Sequence, residues 1–243
     1  MAKTDALFSH FNIGYVNPST LCRYATAAST WREILSFHSA VATDDYVKQV
    51  DDYYRNATRL FGDAWYHLDI VNILYAVTKL HKPKNYLEIG VRRGRSCLVV
   101  ANAYTEVNIY GCDIWVDNYA GMENPGPDFV RNELEKHGHR GSLEFFNGDS
   151  HTLIPELFRM QPELIFDLIT VDGDHSEEGA LSDLNTALER LAPGGVLVFD
   201  DIAHPLHPYL LDVWRRATSC RTNLLTYEYT ETGYGIAFAV SKI

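Results

Sequence analysis

From about residue 84 onward, short runs rich in β-branched and aromatic residues alternate with stretches whose apolar positions recur at helical spacing, the pattern of a parallel sheet covered by helices. Five strands are expected, over 85–89 (NYLEI), 108–112 (NIYGC), 143–147 (LEFFN), 167–171 (DLITV) and 195–199 (GVLVF). Between the last two, Leu181, Leu184, Leu188 and Leu191 keep a helical period, and Pro193-Gly194-Gly195 reads as the stop that ends the helix and turns the chain into the next strand. The runs 222–229 (TNLLTYEY) and 234–241 (YGIAFAVS) flank a short turn containing Gly233 and read as an antiparallel hairpin. The expected class is α/β, with a mostly parallel sheet that ends in that hairpin.

Before residue 84 there is no strand pattern. Residues 64–80 (AWYHLDIVNILYAVTKL) show a broad apolar face at helical spacing, and 44–61 read as a more charged helix. Residues 1–83 are therefore expected to form a helical N-terminal extension or cap, and 84–243 the sheet domain. The extension packs either on the sheet domain or on a partner subunit, which would make the protein a homo-oligomer.

Composition narrows the class. A chain of 243 residues, 46% hydrophobic and 22% charged, fits one α/β domain with an extension and has the make-up of an ordinary globular protein. A net charge of −11 disfavours a nucleic-acid partner, which needs clustered Lys and Arg. Cys22, Cys97, Cys112 and Cys220 are far apart and form no CxxC pair, so neither a zinc knuckle nor a disulfide framework is suggested. No apolar run has the length of a membrane span, and the first residues lack the apolar core of a signal peptide, so no membrane is involved and a cytoplasmic location is expected.

The stretch YLEIGVRRGRS, residues 86–96, carries the first candidate chemistry. A strand followed by a glycine turn and a helix offers backbone N–H groups and a positive helix end to an anion. The spacing E-x-G-x-x-x-G, with Glu88, Gly90 and Gly94, departs from the dinucleotide fingerprint G-x-G-x-x-G, which lowers the case for an NAD oxidoreductase. Glu88 at the strand end suits a ligand with its own positive charge, such as an α-ammonium, and the helix start near Ser96 suits that ligand's carboxylate. Asp113 closes the second strand, where an acidic side chain can take both hydroxyls of a ribose, and Asp149-Ser150 follow the third, in reach of an adenine amino group. Each acid alone is more often a solvated turn residue or a helix cap. Together, on the carboxyl edge of one sheet, they describe S-adenosylmethionine.

A second acidic group ends the fourth and fifth strands: VDGDH at 171–175 and FDD at 199–201. If those strands are neighbours, Asp172, Asp200 and Asp201 converge, and three carboxylates so placed repel one another unless a cation sits among them. Oxygen donors without a softer Cys or clustered His favour Mg²⁺ over Zn²⁺. His175, three residues after Asp172, is the candidate catalytic base, since an imidazole can accept a proton near neutral pH. His204 and His207 are weaker rivals on the same edge, and His151 follows Asp149 where it could line the adenine pocket. Asp174 reads as a turn or cap residue and Asp183 as a solvated helix position. The segment 115–138, long for a turn, offers Trp115, Tyr119, Met122 and Pro125 as an acceptor lid before a helix starting near Asp128; Trp65 and Tyr66 either close that pocket or meet a partner subunit.

LEIGVRRGRS resembles the first motif of catechol O-methyltransferase, L-E-[LI]-G-x-x-x-G-x-S, and VDGDHSEEG with LAPGGVLVFDD looks more like the branch of macrocin-type sugar O-methyltransferases. The chain is thus similar over about residues 84–241 to the class I S-adenosylmethionine-dependent methyltransferases, metal-dependent O-methyltransferase branch. That resemblance implies a Rossmann-like seven-stranded sheet and points to Asp172, Asp200 and Asp201 as metal ligands. It also implies methyl transfer to a hydroxyl of a small molecule, a sugar, a diol or a catechol-like compound. The third ligand of the catechol enzymes is commonly Asn where this chain has Asp201, which argues against a purely catechol preference. Two alternatives stay open: a metal-independent methyltransferase with His175 as base, and a non-catalytic S-adenosylmethionine-binding protein.

Overall fold

The computed structural model of the protein describes residues 16–42, 44–118 and 123–242. Four helices precede the sheet: α1 (Pro18–Ala25), α2 (Ala28–His38), α3 (Asp45–Phe61) and α4 (Ile70–His81), with a 3₁₀ turn at Gly62–Ala64. The alternation then runs β1 (Asn85–Ile89), α5 (Arg95–Ala103), β2 (Asn108–Asp113), α6 (Pro127–Lys136), β3 (Leu143–Asn147), α7 (Ser150–Met160), β4 (Phe166–Val171), α8 (Glu177–Leu188) and β5 (Leu191–Asp200). Helix α9 (Leu210–Thr218) and the strands β6 (Leu224–Tyr229) and β7 (Ile236–Ser241) complete it.

One seven-stranded sheet has the order β3-β2-β1-β4-β5-β7-β6. The first five strands pair in parallel, while β7 runs antiparallel to both β5 and β6. Side chains alternate across β1, so Tyr86 packs with α4 and α5 on one face while Leu87 and Ile89 pack with α7, α8 and α9 on the other. The N-terminal helices share the first of these cores: Leu21, Trp31, Ile34 and Tyr54 belong to one buried cluster with Tyr86, Ile109 and Leu168 of the sheet. Of the two packing partners expected for the extension, the sheet domain is the one it meets here.

Two boundaries differ from the sequence reading. The helix read over 64–80 begins only at Ile70, because Asp69 is its N-cap and its backbone N–H donates to Asn72 Oδ1 at 2.8 Å; the preceding Trp65 ring stacks on His67 at 5.1 Å. Leu191 is not helical: α8 stops at Leu188, and Pro193-Gly194-Gly195 lie inside β5, where the pairing with β4 slips between Phe166 and Leu168. Gly194, at φ +76°, lets the strand bulge there. A Pro-Gly-Gly run reads as a stop locally, and the bulge that accommodates it is created only by pairing with β4.

Candidate functional site

The strand order sets β2, β1, β4 and β5 side by side, so their carboxyl ends form one rim, the edge at which open α/β sheets bind ligands. Asp113 ends β2, Gly90 follows β1, Asp172 follows β4, and Asp200 and Asp201 close β5.

The glycine turn is held by close backbone approach. Gly90 sits at φ +91°, its N–H donates to Cys112 O at 2.9 Å, and a Cβ there would lie 2.0 Å from the carbonyl oxygen of Asp172. Gly94, at φ +71°, precedes α5, and a Cβ would meet a methyl of Val130 at 2.4 Å. The two glycines therefore dock the turn on β4 and α6.

Glu88 is not open at the strand end. It is 1% exposed and accepts hydrogen bonds from Tyr86 Oη (2.8 Å), Cys97 Sγ (2.7 Å) and the Ser96 hydroxyl. Burial pushes its carboxyl up to about 7 against the opposing effect of those three donors. Glu88 and Ser96 thus face each other beneath the turn and bind β1 to the first turn of α5.

Asp113 accepts from the backbone N–H of Arg92 at 2.7 Å and of Trp115 at 2.5 Å, and remains half-buried at the rim. Asp149 caps α7 through the N–H of His151 at 2.9 Å and is exposed. Ser150 donates to Asp183 Oδ1 at 2.8 Å, and His151 Nε2 lies 3.2 Å from Gly179 O. Asp183 is not solvated: it is 2% exposed, and burial pushes its carboxyl up to about 6. The sequence offered no sign of this, because the side chain is enclosed by the turn after β4 and the start of α7, distant segments brought together by the fold. Asp174 accepts from Ser176 N at 2.7 Å, and Ser176 in turn caps α8.

At the other end of the rim, donor atoms of Asp172, His175 and Asp201 all lie within 4.8 Å of one another. His175 Nε2 is 3.1 Å from Asp201 Oδ2 and 3.6 Å from Asp172 Oδ1. Tyr209 Oη donates to the His175 carbonyl at 2.8 Å, which fixes the loop from α9's side; this residue had no motif to reveal it. Burial raises Asp172 well above the usual carboxylate range, and the charges of Asp201, Glu88 and Asp113 push the same way. Burial likewise raises Asp200, helped by Asp172 and Asp201. For His175 burial opposes the charged form, but the hydrogen bond to Asp201 and the charges of Asp201 and Asp200 outweigh it and hold the ring above its ordinary value. A cation among these donors would relieve the mutual repulsion of Asp172, Asp200 and Asp201, which the 3.1 Å contact of His175 offsets at Asp201. Asp200 shares the field of this group, while the compact donor set is formed with His175 in its place.

His204 and His207 continue outward from this cluster: the His175 and His207 rings are 5.2 Å apart, those of His207 and His204 5.0 Å. In the 115–138 segment, Trp115 packs edge-on to Phe145 at 6.3 Å and Pro125 is exposed, while Tyr119 and Met122 lie outside the described residues. Trp65 is spent on Trp31, 5.0 Å away, and Tyr66 Oη meets Tyr227 Oη of β6 at 2.9 Å. No helix among the described residues is long and apolar enough to cross a membrane.

Residues 87–202, from β1 to just past β5, match the family model described as a methyltransferase domain. Among solved structures, the chain is similar to the O-methyltransferase TomG of Streptomyces achromogenes, involved in tomaymycin synthesis and crystallised with S-adenosylmethionine. That likeness has 21% identity and a TM-score of 0.57 over 83% of this chain and 91% of that one. It is also similar to an O-methyltransferase from Bacillus cereus in complex with S-adenosylhomocysteine (18%, TM-score 0.56, 83% and 93% covered). The S-adenosylhomocysteine-bound methyltransferase PaMTH1 of Podospora anserina aligns over 100% of this chain and 95% of its own, at 16% identity and TM-score 0.54. These likenesses show the shared fold. No curated protein sequence matches the chain.

Proposed function

We propose that the protein is an S-adenosylmethionine-dependent O-methyltransferase that uses a divalent cation, Mg²⁺ by its oxygen-rich donor set, to methylate a hydroxyl of a small molecule. The observation that carries this reading is the placement of donor atoms of Asp172, His175 and Asp201 within 4.8 Å of one another on the same rim as the glycine turn. On that rim Asp113 would receive the ribose hydroxyls and Asp149 with Ser150 the adenine edge. Glu88, enclosed beneath the turn by Tyr86, Ser96 and Cys97, ties β1 to α5 and so supports the turn that would receive the donor's amino-acid end. The methyltransferase-domain match and the donor-bound relatives of the same fold support the choice of donor.

Asp172 and Asp201 would hold the cation, with Asp200 adding charge behind them. When bound, the cation supplies a Lewis acid that lowers the acceptor hydroxyl's pKa and orients its oxygen toward the sulfonium methyl. His175 would take up the hydroxyl proton, its ring oriented by the 3.1 Å contact of Nε2 with Asp201 Oδ2 and its backbone held by Tyr209 Oη. Two adjacent hydroxyls, as in a sugar diol or a catechol, would present best to such a site. A second reading follows from the 3.1 Å contact of His175 with Asp201: His175 could complete the cation's ligands instead of acting as base. Under the first, His175→Gln lowers kcat with cation affinity kept; under the second, cation affinity falls with it.

The test is methyl transfer from labelled S-adenosylmethionine to a panel of sugar, diol and catechol acceptors, before and after EDTA and then with Mg²⁺ restored. Activity lost to chelation and recovered with Mg²⁺ is expected. Turnover indifferent to EDTA removes the cation, and donor binding without transfer to any acceptor favours a non-catalytic binding protein.

A further inference from the structure

The glycine turn and the start of α5 carry three arginines, Arg92, Arg93 and Arg95, beside the edge that would receive a nucleoside ligand; Arg92 and Arg95 turn to the N-terminal helices, while Arg93 pairs with Glu123 at 2.6 Å and lies 4.9 Å from the ring centre of Phe129 in α6. Arg92 Nη2 lies 2.6 Å from Asp44 Oδ2, and Arg93 Nε 3.9 Å from the same oxygen. The Arg92 guanidinium stands 5.7 Å from the ring centre of Tyr46, in the first turn of α3. Arg95 reaches Asp51 of α3 at 3.5 Å, and Asp51 also holds His38 of α2 at 2.8 Å. The main chain of Arg92 has a different task. Held at φ +49°, a conformation unfavourable for a residue with a Cβ, it points its N–H at Asp113 Oδ2, 2.7 Å away. A residue kept in that region needs surrounding contacts to hold it, and the described contacts of its side chain run to Asp44 and Tyr46.

We propose that Asp44 is a positioning residue for donor binding, acting through Arg92 to orient Asp113. This rests on the reading of Asp113 as the carboxylate that receives the donor's ribose. The two oxygens of Asp44 divide the work: Oδ1 accepts from Val47 N at 2.9 Å and caps α3, while Oδ2 meets the arginines. Asp44→Asn separates the two roles, because Asn caps a helix about as well as Asp but presents an amide in place of the charged oxygen to Arg92.

The experiment is calorimetric titration of the full chain with S-adenosylhomocysteine, alongside thermal unfolding, for the wild type, Asp44→Asn, Arg92→Lys, Arg92→Ala and the double variant Asp44→Asn/Arg92→Ala. Asp44→Asn should melt within about 2 °C of the wild type, as a retained cap requires, and bind about tenfold more weakly, a typical coupling between linked groups. Arg92→Lys, which keeps the charge, should recover most of the affinity that Arg92→Ala loses, and the double variant should bind no worse than Arg92→Ala alone. Wild-type affinity in Asp44→Asn, or losses that add in the double variant, would overturn the inference while leaving the donor site standing. Failure of the wild type itself to bind S-adenosylhomocysteine would overturn both this and the reading beneath it.

Discussion

Replacing Gly90 by Ala tests how the two halves of the rim are joined. The added methyl carbon would stand 2.0 Å from the Asp172 carbonyl oxygen, 2.4 Å from its carbon and 2.9 Å from Gly173 N. All three are backbone atoms, so no rotamer change relieves the contact. A carbon–oxygen contact normally needs about 3.3 Å, and the end of β1 must therefore part from the end of β4 by roughly 1 Å. That movement strains the 2.8 Å bond from Asp172 N to Ile89 O, worth about 1 kcal/mol. Overpacking adds about 1–3 kcal/mol, and the φ of +91° adds about 1–2 kcal/mol for a residue with a Cβ. A loss of about 4 kcal/mol should lower Tm by about 10 °C for a chain of this size. Gly138→Ala is the control, since Gly138 has φ +81° but nothing within 4 Å of an added Cβ; it should show the backbone cost alone, about 1–2 kcal/mol. Differential scanning calorimetry of both variants decides the matter. If Gly90→Ala melts no lower than Gly138→Ala, the close contact between the glycine turn and the cation-site strand is not what holds the rim together.

Three further outcomes are expected. Gly94→Ala meets a side chain and not backbone, 2.4 Å from Val130 Cγ1, so part of its destabilisation should be recovered in Gly94→Ala/Val130→Ala, measured as a coupling by chemical unfolding. Glu88 has its carboxyl raised from 4.5 to about 7, which favours the fold fully below the lower value and is lost as pH rises through the upper. Against Glu88→Gln, the wild type should therefore lose about 3 kcal/mol of relative stability between those limits in unfolding curves taken across pH. In Asp172→Asn one of the mutually repelling carboxylates is gone, so the cation-free protein should melt higher than the wild type, while the rise in Tm that the wild type gains from Mg²⁺ should disappear.

Much of the sheet was legible because parallel strands buried on both faces read as short apolar runs: NYLEI coincides with β1, and DLITV with all but the first residue of β4. The hairpin was legible from alternation around Gly233, which does take φ +71°. What escaped depended on distant pairing. The bulge in β5 exists because of β4, and the helix over 64–80 lost its first turns because Asp69 caps and the aromatic cluster holds Trp65 outside it. In the site, motif spacing placed the acids on one rim, because strand ends are fixed by topology once the strands are known. It could not tell which way a side chain at the strand end turns, so Glu88 was read as open where it is enclosed by Tyr86, Ser96 and Cys97, and Asp183 as solvated where it is buried. The arginines of the turn carried no sign of their destination, since Asp44 and Asp51 are more than forty residues away in sequence.

The central claim is that one rim of the sheet serves a sulfonium nucleoside and a divalent cation side by side. A crystal grown with S-adenosylhomocysteine and Mn²⁺, with anomalous scattering recorded at the manganese edge, tests it most directly. The account predicts an anomalous peak between the carboxylates of Asp172 and Asp201, with the nucleoside's ribose at Asp113. Nucleoside density elsewhere, or manganese absent from that pair of carboxylates in a crystal with the nucleoside bound, would contradict it.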